Sequence, residues 1–213
     1  MFERSRFKIA LAAAATGALV MTAGCAGRGG GNKDTAYVAR DVDTLYAAAQ
    51  ERLNQGRTRQ AAALFDEVER QHPYSPWARR AQLMSAFSYY AARDYTKSIQ
   101  SAQRFLSIHP GNKDAPYAYY LIAVCYYEQI SDVTRDQKTT EQAKQALTDV
   151  MRRYPGTSYA SDAKLKIDLV NDHLAGKEMT IGRGYEASGK WLAATLRFRN
   201  VVENYSNTRH IEE

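Results

Sequence analysis

A short corner signature recurs along this chain and constrains its fold more than any other feature. It reads Arg70-Gln-His-Pro73, then Ser107-Ile-His-Pro110, then Arg152-Arg-Tyr-Pro155, and in degenerate form Glu203-Asn-Tyr-Ser206. Each copy closes a pair of amphipathic segments. In the first pair, Asp43 to Pro73, the residues Leu45, Ala48, Ala49 and Leu53 recur at helical spacing. Ala61, Leu64, Phe65 and Val68 do the same in the second segment. Gly56 stands between them, where a tight turn costs least, and Pro73 ends the second helix because it has no N–H to continue the ladder. One such pair buries too little apolar area to stand alone, so the pattern predicts a stack of helix hairpins. The expected fold is all-α, with no sheet.

The second pair runs from about Pro76 to Pro110, with Ala86, Tyr89 and Tyr90 on its first helix, a turn at Asp94-Tyr95, and Ile99, Ala102 and Phe105 on its second. In the third, Ala123, Tyr126 and Tyr127 follow Ala86, Tyr89 and Tyr90 by 37 positions, the interval that also separates Pro73 from Pro110. Its second helix carries Ala143, Ala146, Leu147 and Val150. Between its helices Ile130 to Thr140 is a polar insertion, which in a repeat maps to an exposed loop, often on a binding edge. After Pro155, segments Tyr159 to Leu174 and Lys177 to Ser188 read as two helices or as one helix bent at Gly176. Gly189-Lys190-Trp191 then leads into a last helix with Ala194, Phe198 and Val201. Thr208 to Glu213 parallels Thr157 to Asp162, as though another pair were beginning, so about four repeats are expected over 42–213, with a fifth missing.

The first 24 residues read as a targeting segment: Arg4, Arg6 and Lys8 precede a short apolar run, Ile9 to Met21. Thr22-Ala23-Gly24-Cys25 resembles the lipobox of bacterial lipoproteins, in which the peptidase cuts before a cysteine that becomes acylated. Cys25 is therefore the expected lipidation site, and Ala26 after it implies, by that family's rule, an outer-membrane address facing the periplasm. Residues 25–41, Gly-rich and polar at their start, are a flexible tether with a reach of about 20–25 Å. The formal charge is +6, and removing Glu3, Arg4, Arg6 and Lys8 leaves +4. Without a clustered basic stripe, nucleic acid is not an expected partner. Cys125, left without a mate if Cys25 is acylated, lies on an apolar helix face and reads as a packing residue.

Reactive chemistry finds little purchase. Gly184 to Lys190 matches most of a phosphate loop, but Trp191 stands where Ser or Thr must bind magnesium, and no strand leads in. The repeat explains the same stretch better, with Gly182 as a small packing residue and Gly189 as the turn. His72 and His109 mark one structural corner twice, while His173 and His210 are isolated, so no metal site is expected. No nucleophile motif is present. The chain reads as a non-enzyme without a cofactor.

Gly at the turn, Ala five positions on (Gly56 to Ala61, Gly189 to Ala194), an aromatic four beyond (Phe65, Phe198) and a terminal Pro resemble the tetratricopeptide repeat, a right-handed superhelix of antiparallel helix pairs. With the lipoprotein leader, the segments Glu69 to Ser75, Ser107 to Pro110, Tyr126 to Ile130, Arg135 to Gln137 and Trp191 to Ala194 are similar to the outer-membrane assembly lipoproteins. That resemblance implies a scaffold that holds a β-barrel insertase (BamA-like), joins accessory lipoproteins and assists unfolded outer-membrane proteins. It assigns the C-terminal half to the insertase and the N-terminal half to client segments. If first helices line the concave side, as in the repeat family, the inward row is Tyr46 and Leu53; Leu83, Phe87 and Tyr90; Tyr117, Tyr120, Val124 and Tyr127. Arg79 and Arg80 at its edge suit a peptide carboxylate, and Arg135 and Asp136 in the insertion form a partner loop. Competing readings are a lipidated adaptor for peptidoglycan hydrolases and an enzyme that uses the superhelix as a frame. Mass spectrometry of the mature N-terminus checks the address: an acylated Cys25 is the expected species, and Cys25→Ser abolishes it.

Overall fold

The computed structural model describes residues 41–213; Cys25, the leader and nearly all of the tether lie outside the described residues. Among the described residues the regular elements are helical, with no strand. They are α1 (Val42–Asn54), α2 (Thr58–Gln71), α3 (Pro76–Ala91), α4 (Tyr95–Ile108), α5 (Ala115–Tyr127), α6 (Lys138–Arg153), α7 (Ser158–Ala187), α8 (Trp191–Asn204) and a 3₁₀ turn, Arg209–Glu212. The all-α repeat fold expected from the corner signature is the one observed.

Each corner repeats the same backbone. His72, His109, Tyr154 and Tyr205 leave the helix at φ between −129° and −135°. The amide three residues on then donates to each of their carbonyls: Ser75 to His72 at 3.0 Å, Asn112 to His109 at 3.1 Å, Thr157 to Tyr154 at 3.4 Å and Thr208 to Tyr205 at 3.0 Å. Ser75 and Thr157 next cap the following helix, their hydroxyls accepting from Ala78 and Ala160.

Turns inside a pair have their own form. Gly56, Arg93 and Gly189 all lie in the left-handed region, at φ 73°, 59° and 70°. In each, the next amide reaches back to the carbonyl five residues earlier (Arg57 to Arg52, Asp94 to Tyr89, Lys190 to Tyr185, all 2.9 Å), which ends the helix in a Schellman motif. The turn expected at Asp94-Tyr95 is thus centred on Arg93, one residue earlier, with Asp94 capping α4 and Tyr95 its first residue. An arginine where glycine is the usual choice hid that position.

The second helices carry a core row in fixed register. Ala61, Ser98, Ala143 and Ala194 are buried against the partner helix, as are Val68, Phe105, Val150 and Val201. Ser98 keeps its hydroxyl satisfied by donating to the Ala86 carbonyl at 2.8 Å. Cys125 is fully buried and its thiol donates to the Ser98 hydroxyl oxygen at 3.2 Å, with burial pushing the thiol up to about 11.

Of the two readings left open after Pro155, one helix is found: α7 runs 30 residues without a break. Gly176 sits under His210, and Gly182 under Phe198, whose ring carbon lies 2.3 Å from where a Gly182 Cβ would stand. Missing side-chain volume at Gly182 therefore lets α8 approach α7. Gly184, two residues on, faces open space. Gly182→Ala should overpack this contact, a cost of about 1–3 kcal/mol, partly offset by up to about 1 kcal/mol of helix propensity. Gly184→Ala gains that propensity without the clash. Urea unfolding midpoints should move down for the first variant and up for the second.

Candidate functional site

The backbones of the first helices approach one another from pair to pair (α1 with α3, α3 with α5, α5 with α7), whereas the backbones of the second helices stay further apart among the described residues. In a curved stack the row whose members are closest lies inside, so α1, α3, α5 and α7 form the inner face. There a cleft of about 630 Å³ opens. Tyr46 comes from α1, Arg79, Arg80, Leu83 and Met84 from α3, Asn112, Lys113 and Asp114 from the second corner, Tyr117 from α5 and Tyr159 from α7.

Its floor is aromatic and its rim cationic. The Tyr46 ring lies 4.6 Å from Trp77 and edge-on to Phe65 at 5.3 Å. Arg80 holds its guanidinium 5.4 Å from the Trp77 ring, a cation–π contact that fans the charge over the cleft mouth. Burial raises the Tyr46 hydroxyl above its usual range, against the opposing pull of Arg80. Tyr159 stacks 6.0 Å from Tyr117 and 5.2 Å from Tyr120. Arg79, Arg80 and Lys113 outnumber Asp114, so a carboxylate is the favoured polar group of any occupant.

Deeper along the row, the Tyr120 hydroxyl donates to Asp162 of α7. Lys166 lies 2.9 Å from the same carboxylate and 5.4 Å from the Tyr127 ring. Hydrogen bonding from Tyr120 holds the Asp162 carboxyl below its usual range, while burial first and that bond second push the Tyr120 hydroxyl up.

The ten groove residues named from sequence therefore divide. Tyr46, Arg80, Leu83 and Tyr117 meet in the cleft. Tyr120 and Tyr127 are half-buried and engaged with α7, Tyr90 packs on Tyr95 at 6.1 Å, and Leu53 packs against the core around Leu45 and Phe65. Phe87 is half-buried on α3. Val124, at 6% exposure, is closed over and offers no surface. Arg135 and Asp136 are exposed in the loop between α5 and α6. That loop is built around Asp132, which accepts from both the amide and the hydroxyl of Thr134, and is pinned to α7 by Lys177 donating to the Thr134 carbonyl at 3.1 Å.

Several contributors escaped the sequence reading: Trp77, Met84, Asn112, Lys113, Tyr159 and Asp162. So did Leu165 and Leu169 of α7, 66% and 59% exposed, which stand 45 positions after Tyr120 and Val124 and continue the inward row. The same interval separates Pro110 from Pro155, and that spacing was the available signal.

A family model described as "Outer membrane lipoprotein" (YfiO) matches residues 38–213. A protein of Caulobacter vibrioides named outer membrane protein assembly factor BamD is 53% identical over 192 residues, covering 90% of this chain. This chain spans 62% of that relative's length. A namesake from Rickettsia prowazekii is 42% identical over 85% of this chain and 72% of its own length. One from Neisseria gonorrhoeae is 32% identical over 89% and 75%.

The Tyr120–Asp162 bond gives a pH test. Asp162 is depressed, so its contribution is present above its unfolded pKa and lost as pH falls. Tyr120 is raised, so its contribution is present below about pH 10 and lost as pH rises above it. Tyr120→Phe should return the Asp162 titration, followed by carboxyl NMR, toward 3.8. At pH 7 the expected loss is about 1 kcal/mol, kept small because the pair is partly exposed. An unmoved Asp162 titration contradicts this account.

Proposed function

Since the chain belongs to the outer membrane lipoprotein family YfiO, we propose that it is a non-enzymatic scaffold of outer-membrane β-barrel assembly, anchored through an acylated Cys25 to the periplasmic face of that membrane. The carrying observation is the extent of likeness to proteins named as assembly factors: 53% identity across nine-tenths of this chain. A scaffold needs surfaces rather than a reactive centre. Among the described residues no group of three or more His, Cys, Asp or Glu side chains is placed to hold a metal, and no helix is long and apolar enough to cross a membrane.

The inner cleft is the client site in this reading. Tyr46, Tyr117 and Tyr159 present broad rings with polar tips, which hold an extended segment at low entropy cost. Arg79, Arg80 and Lys113 receive its carboxylate or an acidic side chain. Partners of the insertase class dock on the C-terminal half, where Trp191, Leu192 and Leu196 of α8 are 66%, 77% and 54% exposed. Arg135 and Asp136 extend that partner surface at the side of α7.

Two experiments test the reading. Purified from membranes with its partners, the acylated protein should bring down a large β-barrel protein bearing periplasmic repeats; recovery of a peptidoglycan hydrolase in its place rejects it. Arg79→Glu with Arg80→Glu changes two exposed side chains. The double variant should keep its helicity yet lose about tenfold or more in affinity for an aromatic-rich outer-membrane protein peptide, some 1.4 kcal/mol. Added salt should weaken the parent complex in the same direction. Equal affinities for parent and variant remove the cleft from the mechanism.

A further inference from the structure

Three junctions join the four helix pairs, and their outer sides are filled differently. At the first, Asp66 of α2 accepts from the hydroxyls of Ser85 and Tyr89, the latter at 2.7 Å. Glu69 accepts from Gln82 at 2.7 Å. Arg104 of α4 closes the set, 2.9 Å from Glu69 and 3.7 Å from Asp66. Three helices are thus cross-braced by one polar network, whose members hold each other's geometry.

Advancing each residue by its repeat interval, 37 positions for α2 and α3 and 45 for α4, gives the equivalent set at the second junction. Asp66 becomes Gln103, Glu69 becomes Leu106, Gln82 becomes Tyr119, Ser85 becomes Ile122 and Arg104 becomes Asp149. The ion pair has no counterpart there: Gln103 carries no charge, and Asp149 turns to Arg152 of its own helix at 2.6 Å. In place of the brace lies an open cleft of about 290 Å³ lined by these five residues together with Ala146. At the third junction the equivalents of Leu106 and Ile122 are Met151 and Ile167, which pack with Tyr205 on the cluster around Leu147.

We propose that the second junction is the hinge of the solenoid, with the first two helix pairs and the last two moving as bodies about the space between α4, α5 and α6. An unfilled space forfeits the dispersion contacts that resist bending, and no ion pair spans α4 and α6 there to replace them. The inner cleft crosses the same junction. Tyr46, Arg79, Arg80 and Leu83 lie on one side of it, and Tyr117 and Tyr159 on the other. Bending therefore changes the gap that an occupant must fill, a consequence that rests on the client reading above.

Single-molecule energy transfer on the full chain, without any client, tests the hinge. Dyes are coupled through azide-bearing residues introduced at the exposed positions Arg59 and Thr148, which straddle the junction, or at Arg59 and Gln100, which do not. The straddling pair should give the broader distance distribution. Ala146→Leu, which fills the cleft from α6, should narrow it by about twofold, and Gln103→Leu fills the same space from α4 should the first variant fail to fold. Equal widths for the two parent pairs, or an unchanged width in the folded filled variant, overturn the proposal. Peptide affinity plays no part in this measurement, so the hinge and the client site can fail separately.

Discussion

Everything in this solenoid depends on the corner at which one helix pair hands over to the next. A residue outside helical geometry turns the chain, and the amide three positions later locks onto its carbonyl. His72, His109, Tyr154 and Tyr205 perform this identically within a few degrees of φ. Because the corner fixes the angle between pairs, it also fixes which helices crowd together. The first helices become an inner row in mutual contact, and the second helices are splayed along the outside. A cleft walled by four inner helices follows from that geometry.

On this shared backbone each junction is finished with different chemistry. The first is tied by carboxylates shared among hydroxyls, an amide and a guanidinium, and the third by apolar contacts around Leu147. Such variation at constant fold is what stacked repeats permit, since each interface contributes nearly independently. The inner face uses it too. Leu83, Tyr120 and Leu165 occupy one register, yet the first lines a cleft, the second is tied to Asp162 and the third is exposed.

Most of the fold was legible because the features that set it are local. Proline and glycine punctuate the chain, and apolar spacing identifies the buried face of each helix. Gly182 was readable as a packing residue, and the contact with Phe198 gives the reason. Arg93 misled because a left-handed turn is normally advertised by glycine or asparagine, and arginine carries no such mark. The site was less legible because it depends on contacts far apart in sequence. Tyr120 meets Asp162 across 42 positions, and no periodicity within α5 announces that its hydroxyl is already engaged. Val124 shares its helix face with groove residues but is covered, which only neighbouring helices can decide.

Cys125 carries a consequence for how the protein is handled. With its thiol pushed up to about 11 and no exposed surface, only on the order of one molecule in ten thousand holds a thiolate there at neutral pH. Alkylating reagents and glutathione thus meet an inert sulfur while the solenoid stays folded. Labelling at this position becomes a clock for unfolding, ticking only when the helices come apart.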